Sequence, residues 1–348
     1  MEWPTLVGRG CFFISHFDSP FSEINGHKRV LKWRPVTMPQ PRVKLVVTGD
    51  DFGYCPRRNQ GIVDCFLAGG ISNVSLLINA SWAKEAAELA KRHHIPIGLH
   101  ANLSEGLPVS PGLKRGSTLL TSDGFFHGKM GFRKALQSGQ LSMPEVEQEL
   151  RAQVRMFGEL VGQMPSHMDG HQHVHVLPEV REVFAQVLSD YGISYTRVPV
   201  ERGLHACPWL SPALRDFYTQ VEKDALESIR VFKQHGIRWP DVYLGLTTMG
   251  ANMTLSKLRR AFSHALADPA APPSGVNSTN TTEYPMLTAE LMVHPGYPSC
   301  PLEGGCGEGP DEFSQSEDRQ HELTTLKDPS LLAFYTQEKF HLCAFRDF

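Results

Sequence analysis

From Val43 onward the chain alternates short apolar runs with helical patterns, and this rhythm limits the folds open to it. Lys44-Leu45-Val46-Val47-Thr48 has the character of a buried strand, and Gly49-Asp50-Asp51-Phe52-Gly53 follows it as a loop signature. Pro56 opens a helical pattern with Ile62, Cys65 and Phe66 on one face, and Gly69-Gly70 ends it. Further strands are expected over residues 71–78, 96–103, 166–171, 193–198, 242–246, 286–294 and 341–345. Helices are expected over 83–93, 143–160, 178–191, about 214–232 and 255–266, with two more helical patterns near the end. Residues 104–139 are rich in Gly and Ser, and 267–285 in Pro, Ser and Asn; both are expected as loops. Such alternation argues for parallel βαβ units with helices covering a central sheet.

The polar residues that stand out recur where strand gives way to loop, on at least four separated strands. Barrels of α/β type build their sites at those ends, and so do open doubly wound sheets. The recurrence favours an irregular (β/α) barrel, one catalytic domain over 43–348. Residues 1–42 mix single aromatics, prolines and charges without a period and are expected as a loosely ordered extension.

Composition narrows the function classes. The 348 residues are 41% hydrophobic, enough for a sizeable core, and the net charge is −3. No basic face for nucleic acid is indicated. Seven scattered cysteines without a CxxC pair argue against a disulfide framework or zinc knuckle, and for a reducing compartment. No apolar stretch approaches a membrane span. Leu6-Val7 and residues 11–14 are broken by Gly8, Arg9 and Gly10, so no clean leader is read and a cytoplasmic or nuclear setting is expected. The Asn-x-Ser/Thr triplets at Asn73, Asn79 and Asn102 fall in expected core strands or the site, and are read as chance matches.

The chemistry concentrates in residues 167–175, HMDGHQHVH, where four of the chain's 16 histidines fall within nine residues. In an extended chain His167, Asp169, His171, His173 and His175 would share one side. Imidazoles grouped with a carboxylate are what borderline metals select; the alternative is a solvated polar loop. At most two or three can reach one ion, leaving Asp169, His173 and the others as supports or substrate contacts. Asp50-Asp51 after a buried strand is costly unless water, hydrogen bonds or a cation meets it. One of the pair could bind metal while the other serves as general base; the alternative is a helix cap before Pro56. His100 and His294 each end an apolar run, where a lone histidine is usually a packed, hydrogen-bonded residue. A functional His294 would be a general acid, since imidazole titrates near neutrality. Arg197 would face the site as a substrate contact or form a surface ion pair. Residues 304–309, GGCGEG, lack the Lys-Ser/Thr of a phosphate loop and are expected as a mobile loop at the mouth.

Four segments taken together resemble a known family: VVTGDDFGY (46–54), GLHANLSEG (98–106), HMDGHQHVH (167–175) and ELMVHPGYPS (290–299). The chain is similar to the YdjC-like carbohydrate deacetylases, most of all to their vertebrate branch, from about Arg42 to Phe348. The resemblance implies an irregular (β/α) barrel, an acetylated carbohydrate substrate and one divalent metal, Mg2+ first, with Zn2+ or another transition metal as alternatives. It matches Asp50 to the proton acceptor, Asp51, His100 and His171 to the metal ligands, and His294 to the general acid. Residues 1–42 depart from the bacterial pattern. Two rival readings are a non-haem iron oxygenase, whose two-His-one-carboxylate set is the same, and a barrel that binds carbohydrate or a partner without turnover.

Overall fold

A strand buried along nearly its whole length must be covered on both faces, and Val43–Phe52, where all but Lys44 are buried, is such a strand. In the computed structural model, which describes residues 43–267 and 286–348, it forms β1 and is the spine of the sheet. Along its first residues it pairs with two strands, β6 (Leu287–Val293) and β7 (Phe340–Leu342). Further along it pairs with β2 (Asn73–Leu76). The sheet has seven strands in the order β4-β3-β2-β1-β6-β5, with β7 beside β1, and every pairing is parallel. Here β3 is Ile97–Ala101, β4 is Met168–Gly170 and β5 is Val242–Leu244.

Helices connect the strands: α1 (Pro56–Leu67), α2 (Ala83–His93), α3 (Gly128–Gln137), α4 (Met143–Val161), α5 (Val180–Tyr191), α6 (Pro212–Gln234) and α7 (Leu255–Leu266). Three more, α8 (Glu312–Gln315), α9 (Glu317–Leu326) and α10 (Pro329–Gln337), precede β7. Their ends follow local chemistry. Pro56 and Pro212 open α1 and α6, where a missing N–H costs nothing, and Gly162 and Gly192 take left-handed conformations that close α4 and α5. Their inner faces share one large core with the strands, among them Leu45, Val47, Val74, Leu99, Phe157, Phe184 and Phe232.

The sheet curls into a half-barrel with helices outside, as the irregular α/β barrel expectation requires. The strand expected at 193–198 does not form. Tyr195 makes a single bridge to Arg238, with Met168 N donating to Tyr195 O at 3.0 Å and Thr196 N to Arg238 O at 3.0 Å. This segment carries the pairing past β4 irregularly, so the barrel is uneven here. A helix not expected from sequence, α3, lies inside the presumed loop 104–139. The expected extension 1–42 and nearly all of the expected loop 267–285 lie outside the described residues. Among the described residues no helix is long and apolar enough to cross a membrane, and Cys55, Cys65, Cys207, Cys300, Cys306 and Cys343 are free thiols. Asn73 and Asn102 are fully buried, which closes them to glycan attachment.

Candidate active site

β1 runs through the aspartate pair instead of stopping before it, and its register with β2 shifts between Gly49 and Phe52. Such a bulge re-aims side chains, and Asp51 takes a left-handed backbone, φ 61°. The neighbours therefore meet different partners. Asp50 receives both terminal nitrogens of Arg197, at 2.7 and 2.9 Å. Asp51 accepts from Arg58 at 3.1 Å through Oδ2, while its Oδ1 is buried with no well-formed hydrogen bond.

Toward that Oδ1 point two imidazoles from neighbouring strand ends. His171 Nδ1 lies 3.1 Å from it and His100 Nε2 3.5 Å, and the two nitrogens are 3.3 Å apart. Each ring is backed by a carboxylate on its far side. His100 Nδ1 meets Asp169 Oδ1 at 2.6 Å, across the paired positions His100 and Asp169 of β3 and β4. His171 Nε2 meets Glu105 Oε2 at 3.0 Å. A ring that donates to its backing carboxylate presents a lone pair on the other nitrogen. Two such lone pairs and a carboxylate oxygen crowded together need a proton or a cation between them.

The electrostatics agree. Burial would lower the His171 imidazole, but Glu105 and Asp51 raise it well above its ordinary value. Burial would raise the Asp51 carboxyl, yet His171, with His294 and Arg58, holds it well below the carboxylate range. The donor set of Asp51, His100 and His171 therefore fits a divalent ion: three ligand atoms within 4.8 Å of one another, all on buried residues.

Asp50 differs. Burial pushes it up to about 6 against the pull of Arg197 and His100. Arg197 is wholly buried and also bonds Glu290 Oε1 at 2.8 Å and approaches Asp169 Oδ2 at 3.1 Å. It is not a surface ion pair: its guanidinium nitrogens are committed to three buried carboxylates, and it also lines the cavity. Asp169, expected as a support or substrate contact, is likewise buried and engaged with His100, Arg197 and Ser75, so support is the part its contacts describe.

His294 follows β6, with its backbone N–H donated to Glu322 and its carbonyl accepting from Arg319 at 3.0 Å. Its Nδ1 is buried without a partner. Burial and nearby Arg319 hold its imidazole well below the ordinary value. Gly296, two residues on, passes so close to Arg58 that a Cβ would lie 2.7 Å from its Cδ. His173 lines the cavity, buried, with burial and Arg197 lowering its imidazole.

The shared side expected for the His-rich segment is not observed. After β4 the chain turns into a short 3-10 segment in which Gln172 and His173 have φ of 53° and 59°. Alternation ends there. His167 stacks on Phe345 at 4.1 Å, and His175 reaches the Arg197 carbonyl at 2.9 Å, away from the carboxylate pair. The loop 304–309, expected to be mobile, is stitched down: Gly305 N donates to Tyr54 O and Leu107 N to Cys306 O, both at 2.9 Å.

Asp50, Asp51, His100, His171, His173 and His294 thus border one cavity of roughly 400 Å³, within the range of small-molecule sites. Its lining also has an apolar wall, from Leu214, Phe217, Tyr218, Leu246, Met249 and Met292, with Lys129, Asp311 and Ser314 as further polar lining residues.

Comparison with known proteins decides the family. The YdjC-like protein model matches residues 44–337. The chain belongs to the YdjC-like family. A zebrafish (Danio rerio) relative named carbohydrate deacetylase is 71% identical over 89% of this chain and 100% of its own length. The human relative of the same name is 51% identical over 89% and 92%. A chitooligosaccharide deacetylase of Yersinia enterocolitica is 36% identical over 39% of this chain and 52% of its own. The fold is shared with a solved Enterococcus faecalis protein bearing the provisional name cellobiose-phosphate cleavage protein, with TM-score 0.61, 18% identity, and coverage of 88% and 98%.

Within this YdjC-like site, sequence reasoning missed Arg58, Glu105 and Glu290. Glu290 carried a signal, a charge inside the apolar strand Ala289-Glu290-Leu291, and a buried charge demands a partner. Glu105 lies inside the GLHANLSEG segment of the YdjC-like pattern. Arg58, on α1, carried none.

Proposed function

We propose that this chain is a metal-dependent carbohydrate deacetylase that removes acetyl groups from N-acetylglucosamine-type sugars. The observation that carries the reading is the separation of the aspartates. Asp51 joins two carboxylate-backed imidazoles in a metal-fit cluster, while Asp50, beside it, is held by Arg197. The full-length vertebrate relatives named carbohydrate deacetylase support the substrate class.

A divalent ion held by Asp51, His100 and His171, Mg2+ first and Zn2+ the alternative, would polarise water and the acetamide carbonyl. Asp50 takes the proton of the attacking water, at a carboxylate whose Arg197 partner fixes its direction. Water adds to the acetamide carbon, the C–N bond breaks, and acetate leaves the amino sugar. His294 gives a proton to the departing nitrogen. Burial and Arg319 hold its imidazole low, so it is neutral at rest and carries in transit a proton equivalent to the one Asp50 took from the water. The apolar wall covers the sugar's non-polar faces and excludes water.

Acetate release from N-acetylated chitooligosaccharides, with and without chelator, tests this. The expected result is turnover that chelator abolishes and added Mg2+ or Zn2+ restores. Turnover indifferent to chelator would overturn the metal assignment, and no acetate release under any metal the substrate class. The two-His-one-carboxylate set also suits a non-haem iron oxygenase, which would consume oxygen on addition of Fe2+. A parallel α/β sheet and a second, arginine-held carboxylate favour hydrolysis.

A further inference from the structure

The imidazoles of the metal-fit cluster have unlike backing. Asp169, behind His100, is wholly buried and tied to Arg197 and Ser75. Glu105, behind His171, stands on a loop, and its side chain borders the cavity at 22% exposure. A carboxylate in that position is naturally read as a substrate contact. Its surroundings say otherwise.

The loop is built to hold Glu105 still. Asn102 Oδ1 accepts the backbone N–H groups of Ser104 and Glu105, both at 3.0 Å, and Asn102 Nδ2 donates to the Glu105 carbonyl at 2.9 Å. Asn79 Nδ2 donates to the same carbonyl at 3.1 Å. The carboxylate is fixed at both oxygens: Oε1 accepts from the Gln172 amide and Oε2 faces His171 Nε2 at 3.0 Å. Gln172 is steadied in turn, with Ser104 Oγ donating to its carbonyl at 3.0 Å and Arg133 to its backbone oxygen at 3.0 Å. Backbone and both carboxylate oxygens are thus occupied before any ligand arrives.

We infer that Glu105 is a positioning residue that acts through His171: by accepting the Nε2 proton it sets the ring tautomer and leaves the Nδ1 lone pair aimed at the metal position beside Asp51 Oδ1. This rests on the proposed reading of His171 as a metal ligand. Carboxylate backing raises the ligand's basicity and fixes its ring, and losing such a partner commonly costs 10- to 100-fold in metal affinity. Gln172 and Ser104 carry the positioning one step further out.

The experiment is equilibrium dialysis of the full chain with Zn2+ alone, compared with Michaelis kinetics on a chitooligosaccharide. Glu105→Ala should weaken Zn2+ binding about 10- to 100-fold. Glu105→Gln, which keeps an acceptor oxygen, should recover part of that affinity, and it carries the test should the alanine variant fail to fold. In both, the rise in KM at saturating metal should be smaller than the rise in metal Kd. A tenfold higher KM with unchanged Zn2+ affinity would overturn the inference and make Glu105 a substrate contact. Wild-type chain that binds no Zn2+, or His171→Ala that binds it undiminished, would instead sink the ligand reading and this inference with it.

Discussion

The two walls of the cavity are built by opposite strategies. One is polar and stands on the sheet: Asp50-Asp51 at the end of β1 and His100 on β3, with Asp169 of β4 backing it. Its side chains are nearly all buried and held by Arg197, Arg58 and one another. The other is apolar and stands on connections: Leu214, Phe217 and Tyr218 on α6, Leu246 and Met249 after β5. The first wall holds its charges in fixed hydrogen-bonded positions, as proton transfer and metal binding need. The second offers area without fixed direction, suited to holding a sugar that the polar wall orients. Changes to the polar wall should therefore strike kcat, metal content or stability, and changes to the apolar wall chiefly KM.

The largest effect is expected at Asp50. Asp50→Asn should lower kcat on the order of 10³-fold, within the range for loss of a general base, while metal content stays intact. Acetate release and bound-metal analysis check both halves, and retained turnover would refute the base role. His171→Ala should give the reverse signature, loss of metal. The rate profile carries a further constraint. As the proposed base Asp50 must be ionised, and burial raises its carboxyl to about 6, so activity should be lost as pH falls through that value. A bound cation lowers it further, so the acidic limb of kcat/KM should lie at or below pH 6; a limb above pH 7 would break the assignment.

Next comes Arg197. Arg197→Met leaves Asp50, Asp169 and Glu290 buried without their shared cation. Breaking a buried pair by removing one partner typically costs about 3–5 kcal/mol, and urea midpoints would read it. It should also move the acidic limb upward, since Arg197 is the main group, ahead of His100, that opposes the effect of burial on Asp50. A variant as stable as wild type, with an unmoved limb, would deny that this arginine anchors the polar wall.

The polar wall was legible in sequence because its signals are local. Adjacent aspartates after an apolar run, and histidines closing Ile97–Ala101 and following Leu287–Val293, announce themselves without any contact being known. What escaped depends on distant partners or special backbone. Arg58 matters only because a bulge turns Asp51 toward it, and the His-rich stretch stops alternating only because Gln172 and His173 take left-handed conformations. Gly128 and Gly131 weaken the helical signal of α3, and its buried Phe132, Ala135 and Leu136 override it. Residues 193–198 look like a strand, but their backbone bonds are scattered over Leu188, Met168, Arg238 and the His175 ring and form no continuous ladder.

A smaller effect is expected beneath the apolar wall, where Glu201 accepts from the Thr247 N–H at 2.9 Å and from its hydroxyl. Burial pushes its carboxyl up from the ordinary 4.5 to about 7, against hydrogen bonds from Thr247 and neighbouring backbone. A folded-state pKa above the unfolded one gives stability that is whole below about pH 4.5 and lost as pH rises through about 7. The full loss is on the order of 3 kcal/mol. Glu201→Gln keeps one donor and one acceptor for Thr247 and cannot ionise. Its stability should be flatter than wild type across that window, read by urea midpoints at several pH values. Equal slopes would show that Glu201 does not stay protonated beneath this wall.

The smallest effect separates the walls most cleanly. Met249 lines the cavity half-buried, immediately before the 3-10 turn Gly250–Asn252, and is not one of the metal-fit residues. Met249→Ala removes apolar area that touches substrate equally before and during reaction, and such uniform binding appears in KM alone. Losing about 1.4 kcal/mol of contact would raise KM about tenfold. At saturating substrate kcat should stay within about twofold, and Zn2+ affinity should not move. A kcat loss as large as the KM gain would mean that the apolar wall also orients the reacting amide, and the division of labour between the walls would fail.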